Sequence, residues 1–516
     1  MTAASEPDDE YLTEIVRKSS VGIAAFTAER IILAGVAYVI TATLGAASYG
    51  FFAVFTRGEV ISRNLVAGIG DGYTRTVPQV SPSARRTILS VGTIGFMLVW
   101  VVVATVAVIS RDVLVDATLL QPRHESVVVL FAVGLLPFVL LRNLRDMFRA
   151  LRRIKIAMLV SRISTPLALL AGAMFVVLAG GQSLFVVWAG VVVVAVSLLT
   201  AGVLILTRRS SVGVGSVRSH RPVVRRFLRD SADTTGVAVL ELIQRRAVFA
   251  VMALYLSPVA AGAFSLSIVI GLVVRWPLSG VNSILPPIAA ALYGDGQKRT
   301  LQRLYQQTSR IATVATTPVF ALGYAYAPDL LAVFNEAYAQ QATVLRLVLT
   351  AQYGATIFGS VGLLLLMTYN ERVSLRVQVI NAVIALPLLV GLTVRFGPLG
   401  LGAAYLLSLL VNNTTELLLL YTCDGFIPFS REQAAAVGLG VALVAGITLS
   451  RSAAGVAVSG VVVALGIGSY TLIGWRALLR AADTAALKAL LSLPVRSDCR
   501  PAGTQSATGT RPIQLP

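Results

Sequence analysis

Long apolar runs recur along almost the whole chain, separated by short polar segments. About 14 of them reach the roughly 20 residues that a helix needs to cross the ~30 Å hydrocarbon core of a bilayer. They lie approximately at residues 20–44, 48–68, 90–110, 126–146, 157–179, 183–206, 234–256, 259–283, 308–331, 343–368, 374–394, 398–421, 434–451 and 455–475. This pattern predicts an all-α, polytopic membrane protein with about 14 transmembrane helices.

The polar segments alternate in charge. Every second loop and the two terminal tails together hold 31 of the 43 lysines and arginines, whereas the remaining loops hold only Arg111, Arg123, Arg395 and Arg451. Basic loops stay on the cytoplasmic side of a membrane. We therefore predict a multi-pass protein of the cell membrane with both termini in the cytoplasm. The first residues are acidic and polar, unlike a signal peptide, so no cleavage is expected.

The spans form two sets of six, expected to fold as two lobes. The predicted parts are a cytoplasmic tail at 1–19, an N-lobe at 20–206, a basic cytoplasmic linker at 207–233, a C-lobe at 234–421, two further helices at 422–475, and a cytoplasmic amphipathic helix with a disordered tail at 476–516. Three features recur 212 positions apart: Glu29 and Glu241, Gly50 and Gly262, and Arg63 and Arg275. This repeat predicts parallel lobes with a substrate site between them.

Composition narrows the class further. Apolar residues make up 56% of the chain and charged residues 13%, with a mean hydropathy of +0.80; a soluble domain carries about 25% charged residues. Two cysteines and two histidines provide neither a disulfide framework nor a zinc site, so no cofactor is expected. A membrane enzyme is an alternative that the short loops disfavour, and no nucleic-acid partner is expected.

Eight arginines interrupt the apolar runs, although a charge near the bilayer centre costs about 2.5–3.5 kcal/mol. The candidate substrate-binding residues are six of these: Arg30, Arg57, Arg63, Arg245, Arg246 and Arg275. The other two, Arg162 and Arg346, lie near span ends, where a long side chain reaches the interface. Candidates for charge pairing or coupling are the embedded glutamates Glu29, Glu59 and Glu241. No catalytic residue is predicted.

Arginine suits a phosphate group because its planar guanidinium donates two hydrogen bonds at once and stays charged. An anionic cargo that crosses the membrane is therefore one explanation of the embedded arginines. The other is ion pairing inside the helix bundle, for instance with Glu29 or Glu241. Amides in the second half, among them Asn381 and Asn412, suit either a hydroxyl-rich cargo or hydrogen bonds between helices.

Four stretches carry a family resemblance. They are ASYGFFAVFTRGEVISRNLVAGIGDGYTRTVPQ at 47–79, ILPPIAAALYGDGQKRTLQRLYQQTSR at 284–310, YAPDLLAVFNEAYAQQATVLRLVLTAQYGA at 326–355 and FGPLGLGAAYLLSLL at 396–410. In these stretches the chain resembles the polysaccharide-biosynthesis, Wzx-type lipid-linked oligosaccharide flippases of the multidrug/oligosaccharidyl-lipid/polysaccharide exporter superfamily.

The resemblance implies two six-helix lobes that alternate around a central cationic cavity. It implies a flippase, not an enzyme, that moves a polyprenyl- or dolichyl-(pyro)phosphate-linked oligosaccharide through the membrane lipid for surface polysaccharide or glycoprotein assembly. Glycosyltransferase or polymerase partners would accompany that role. The alternative is an ion-coupled multidrug antiporter of the same superfamily, whose cavity would need an excess of carboxylates.

Overall fold

The computed structural model describes residues 7–179, 183–209, 218–282, 285–368, 371–453, 456–480 and 483–484. Within these ranges the chain forms helices joined by short connections, without any strand, which confirms the all-α prediction. Seven of the described helices are long and apolar enough to cross a membrane, and an eighth crossing results if one bent pair is counted as a single span. The chain is a multi-pass membrane protein, but the count of 14 is not confirmed.

The first half contains nine helices in the described ranges. They are α1 (Pro7–Leu44), α2 (Ala46–Leu65), α3 (Ala67–Thr76), α4 (Pro82–Ile109), α5 (Arg111–Ala117), α6 (Glu125–Ala150), α7 (Ile154–Leu159), α8 (Thr165–Ala179) and α9 (Leu184–Arg209). A short π-helical stretch, Val160–Ser164, joins α7 to α8.

The second half begins with α10, which has 35 residues, and ends in a helical hairpin. Its described helices are α10 (Arg221–Tyr255), α11 (Pro258–Val274), α12 (Trp276–Val281), α13 (Leu285–Gly294), α14 (Lys298–Ala325), α15 (Ala327–Ala332), α16 (Glu336–Ala339), α17 (Ala342–Ile357), α18 (Val361–Thr368), α19 (Glu371–Asp424), α20 (Arg431–Ala453) and α21 (Val456–Ile473).

Two starts of helices follow directly from a serine–proline pair. Ser81 precedes Pro82 at the start of α4, and Ser257 precedes Pro258 at the start of α11. In each case the serine hydroxyl accepts a hydrogen bond, at 3.4 Å, from the backbone N–H three residues later. Serine satisfies a free N–H at the helix start, and proline fits the first turn, where its missing N–H costs nothing.

Glycine bends the chain at two places, which affect three of the predicted spans. The predicted span 343–368 is bent by 42° between α17 and α18, where Gly359 has a φ of 65°. The predicted spans 374–394 and 398–421 are the two parts of α19, joined by a non-helical kink at Gly397, which has a φ of 58°. A positive φ strains any residue with a Cβ, so glycine occupies both bends.

The two halves meet closely at one end of the molecule. Gly50 of α2 faces α11, and a Cβ on this residue would lie 1.9 Å from the carbonyl oxygen of Pro258. A Cβ on Gly262 would lie 3.2 Å from the backbone nitrogen of Gly50. Nearby, the Tyr338 hydroxyl donates a 2.6 Å hydrogen bond to the Ala46 carbonyl of the other half. The repeated glycines therefore permit the closest approach of the two halves; we call this the Gly50 contact.

A second contact, the Gly68 contact, joins α3 to the first turns of α10. A Cβ on Gly68 would lie 2.2 Å from the Thr235 hydroxyl. The ring of Phe227 stacks on Tyr73, with the ring centroids 5.5 Å apart. Later residues of α10 pack instead against the second half, including Phe249. Helix α10 thus attaches to both halves.

Parts of the predicted linker and of the predicted tail lie within the described residues. Residues 207–209 belong to α9 and 221–233 to α10, so the described part of the predicted linker 207–233 is largely helical. Of the predicted cytoplasmic segment 476–516, only residues up to 480 and residues 483–484 are described. Arg310, which falls in the predicted span 308–331, lies buried within α14 and pairs with Asp483 at 2.5 Å.

Candidate functional site: a charged cavity between the two halves

A cavity of about 890 Å³ lies between the Gly50 contact and the Gly68 contact. Helices from both halves line it: α1, α2, α3 and α8 from the first, and α10, α11, α18 and α19 from the second, together with Arg275 and Asn282, which flank α12. Such a volume is in the range of small-molecule binding sites. Since both halves supply its walls, any movement of one half against the other changes the cavity.

Most of the predicted site residues come together here. The cavity is lined by five of the six candidate arginines and two of the three candidate glutamates: Arg30, Arg57, Arg63, Arg246, Arg275, Glu29 and Glu59. The side chains of the remaining two candidates, Arg245 and Glu241, lie outside the described residues, although their backbone belongs to α10. Whether these residues bind a substrate stays a prediction.

Two of the arginines have carboxylate neighbours. Arg30 lies 3.6 Å from Glu29. Arg63 lies 3.0 Å from Glu59, one helical turn earlier, and also donates a 3.0 Å hydrogen bond to the Thr165 hydroxyl. The i,i+4 spacing places Glu59 and Arg63 on the same face of α2. Ion pairing inside the helix bundle, the second explanation considered for the embedded arginines, therefore accounts for part of the embedded charge.

Arg57 is held differently. Its guanidinium donates a 3.2 Å hydrogen bond to the Ser265 hydroxyl and lies over the ring of Phe249, 4.2 Å from the ring centre. Among the described side chains it forms no ion pair, and its buried Nε has no hydrogen-bond partner. Arg246 lies over the same ring at 5.9 Å, so the Phe249 ring contacts one guanidinium from α2 and one from α10.

The described side chains around the cavity carry an excess of positive charge. Its charged lining consists of six arginines and four carboxylic acids, a formal net charge of +2: Arg30, Arg57, Arg63, Arg75, Arg246 and Arg275 against Glu29, Glu59, Asp71 and Glu416. The charges of Arg30 and Arg246 both act on Arg57. An anion inside the cavity would relieve this repulsion, which is stronger at low dielectric than in water.

The cavity reaches the Gly68 contact, where its lining includes Asp71, Arg75 and Thr234. Asp71 lies 3.7 Å from Arg149. Burial raises the pKa of the Asp71 carboxyl, and the charge of Arg149 partly opposes that rise. This end therefore combines acidic and basic groups.

Another wall, which includes Asn282 and residues of α18 and α19, is mostly uncharged and rich in polar side chains. The Ser360 hydroxyl donates a 2.5 Å hydrogen bond to Asn282, and the Asn381 amide donates a 2.9 Å hydrogen bond to the Asn412 oxygen. Among the described lining residues, this wall has one acidic side chain, Glu416. The cavity thus pairs a cationic side with an amide-rich side.

Sequence reasoning missed several lining residues. Phe249 follows Arg246 by three positions, so both lie on one face of α10, and this spacing is a usable signal. Ser265, Asp71 and Arg75 gave no such signal, because a serine in an apolar run or charges near a helix end are common.

Comparisons with known proteins support the fold. No protein-family profile and no curated protein matches the sequence. Among solved structures, the lipid II flippase MurJ in an inward closed conformation matches with a TM-score of 0.69, covering 89% of this chain and 100% of its own at 10% identity. This chain has the fold of the MOP superfamily transporters. The transporter fold that the resemblance implies is confirmed.

Two multidrug resistance MATE family transporters of the MOP superfamily match as well. An inward-facing structure gives a TM-score of 0.58 at 15% identity and covers 86% of this chain and 97% of its own. An outward-facing structure gives 0.55 at 14% identity and covers 85% and 99%. These neighbours are transporters and flippases rather than enzymes, and their fold occurs with the cavity facing either side.

Proposed function

We propose that this chain is a flippase that moves a polyprenyl- or dolichyl-(pyro)phosphate-linked oligosaccharide across the cell membrane by alternating access. The net charge of +2 around the cavity carries the proposal. A pyrophosphate group that links a lipid to a sugar is a compact anion, and the guanidinium groups of Arg57, Arg246 and Arg275 provide the donors that such an anion needs.

The surroundings of Arg57 support this assignment most directly. Its side chain is partly buried, with a buried Nε, lacks an ion pair among the described side chains, and is subject to the charges of Arg30 and Arg246. A buried charge without a counter-ion is costly. A phosphate that enters the cavity would supply the missing counter-charge, whereas a neutral or cationic molecule would not.

Alternate opening of the two contacts between the halves would provide the movement that alternating access needs. Opening the Gly68 contact while the Gly50 contact stays closed would expose the cavity to one side, and the reverse would expose it to the other. We propose that the Gly68 contact lies at the cytoplasmic face, together with both termini. Gly68 ends the predicted span 48–68, and the loop that follows this span is one of the basic loops expected in the cytoplasm. The lipid tail would stay in the bilayer while the phosphate and sugar pass between the halves.

The alternative, an ion-coupled multidrug antiporter, would bring a cationic drug into a cavity that already holds excess positive charge. The flippase fits this cavity better. Enzymes that build or polymerise the glycan remain the expected partners, since they would supply and consume the cargo.

The test is translocation of a fluorescent polyprenyl pyrophosphate-linked sugar in proteoliposomes. We expect Arg57→Gln and Arg246→Gln each to reduce the rate about ten- to hundredfold, the loss of one charged hydrogen-bonding partner. Arg346→Gln is the matched control: Arg346 bonds the Tyr324 carbonyl and does not line the described cavity. Unchanged rates in both cavity variants, or an equal loss in the control, would contradict the proposal.

A further inference from the structure

The neutral wall of the cavity contains a cluster of four polar side chains on α19: Gln378, Asn381, Ser408 and Asn412, here called the amide cluster. Residues 381 and 412 are 31 positions apart, which would separate them by about 46 Å in a straight helix. The Asn381–Asn412 hydrogen bond of 2.9 Å instead joins them, because the chain turns at Gly397. The kink therefore assembles the cluster.

The amide cluster has unused hydrogen-bonding capacity in residues that line the cavity. Three of its oxygen atoms are buried without a hydrogen-bond partner: Gln378 Oε1, Asn381 Oδ1 and Ser408 Oγ. Asn381 itself is only 2% exposed. Buried polar atoms are nearly always paired in folded proteins, so three orphaned oxygens lining one cavity indicate a ligand that donates hydrogen bonds.

The chemistry of these atoms defines the ligand class. The unpaired amide oxygens of Gln378 and Asn381 accept hydrogen bonds from hydroxyl groups, while they offer nothing to a phosphate, which accepts hydrogen bonds only. The Ser408 hydroxyl can both accept and donate. A cation is a poor fit as well, because the arginines across the cavity leave it with a net positive charge. An uncharged group with several hydroxyls satisfies both conditions.

We propose that the amide cluster is a sugar subsite that binds the first sugar after the phosphate through its hydroxyl groups. This proposal rests on the proposed function, since it assumes that the arginines hold the phosphate. The two walls then divide the headgroup: guanidinium groups take the charge, and amides take the adjacent hydroxyls. A site built to bind hydroxyls discriminates strongly against a ligand that lacks them, because its own polar groups are then left unpaired.

The test compares two probes on the full-length protein in nanodiscs: a polyprenyl pyrophosphate without a sugar, and the same lipid carrying one hexose. We expect the wild type to bind the hexose-bearing probe about tenfold more tightly. Asn381→Leu keeps the number and branching of the side-chain heavy atoms but removes the polar groups, so it should abolish this difference and leave the affinity for the sugar-free probe unchanged. Gln378→Met should do the same to a smaller degree, and it serves if Asn381→Leu does not fold.

Arg57→Gln is the opposite control, because it should weaken both probes equally. The sugar subsite is overturned if the hexose adds no affinity in the wild type, or if Asn381→Leu and Gln378→Met weaken both probes to the same extent. Failure of the proposed function gives a different result: neither probe would bind the wild type.

Discussion

The buried ion pair between Arg310 and Asp483 allows the sharpest stability prediction. Arg310 is 1% exposed and Asp483 fully buried. The guanidinium donates hydrogen bonds of 2.9 and 2.5 Å to one carboxylate oxygen of Asp483, which also accepts a 2.9 Å bond from the Arg480 backbone N–H. This pair ties the segment after α21 to α14.

Asp483→Ala would leave the Arg310 guanidinium buried without a counter-charge. Removing one partner of a buried pair costs about 3–5 kcal/mol, whereas replacing both partners by apolar residues is often close to neutral. We therefore expect Asp483→Ala to lower the free energy of unfolding by about 3–5 kcal/mol. The double variant Arg310→Met with Asp483→Leu should recover most of that loss.

The assay is reversible unfolding of the purified protein in mixed micelles, titrated with SDS and followed by tryptophan fluorescence. Arg346→Met controls for the loss of an arginine outside this pair. A loss below about 1 kcal/mol for Asp483→Ala, or a double variant as unstable as the two single variants added together, would refute the reasoning, because independent sites are additive and coupled ones are not.

Three further predictions concern the contacts between the halves. Gly68→Val should force α3 away from α10 and raise hydrogen–deuterium exchange in α3, whereas Gly236→Val, with open space around its Cβ position, should not; equal exchange would contradict the close packing. Phe249→Leu should weaken binding of a pyrophosphate lipid about three- to thirtyfold by removing the ring under Arg57, and Phe249→Trp should restore it; failure of tryptophan to do so would argue against the cation–π contact. Tyr338→Phe removes one hydrogen bond between the halves and should lower the free energy of unfolding by about 1 kcal/mol; an unchanged value would show that this bond contributes nothing.

The features that could be predicted from the sequence are those that depend on local composition. Long apolar runs indicate membrane helices whatever they pack against, and embedded charges such as Arg57 and Arg275 are rare enough to stand out. Because a charge inside the membrane is energetically costly, each of these arginines was expected to have a functional reason, and a shared cavity provides one. The repeated glycines were visible too, and Gly50 and Gly262 prove to lie where the two halves approach each other most closely.

The features that could not be predicted depend on partners far away in the chain. Nothing near Arg310 in the sequence indicates its pairing with Asp483, 173 positions later. Likewise, the amide cluster exists because Gly397 bends α19, and a proline-glycine segment between two apolar runs does not show which side chains will then face each other. The count of 14 spans is not confirmed for a related reason: helices such as α10 and α14 are too polar along their length to be identified as spans by hydropathy.

A structure of the protein with a bound polyprenyl pyrophosphate-linked sugar tests the central claim most directly. Our account predicts phosphate oxygens about 2.7–2.9 Å from guanidinium nitrogens of Arg57 and Arg246, inside the cavity between the Gly50 and Gly68 contacts. Phosphate density outside this cavity, or against Glu416 with both guanidinium groups unengaged, would contradict it.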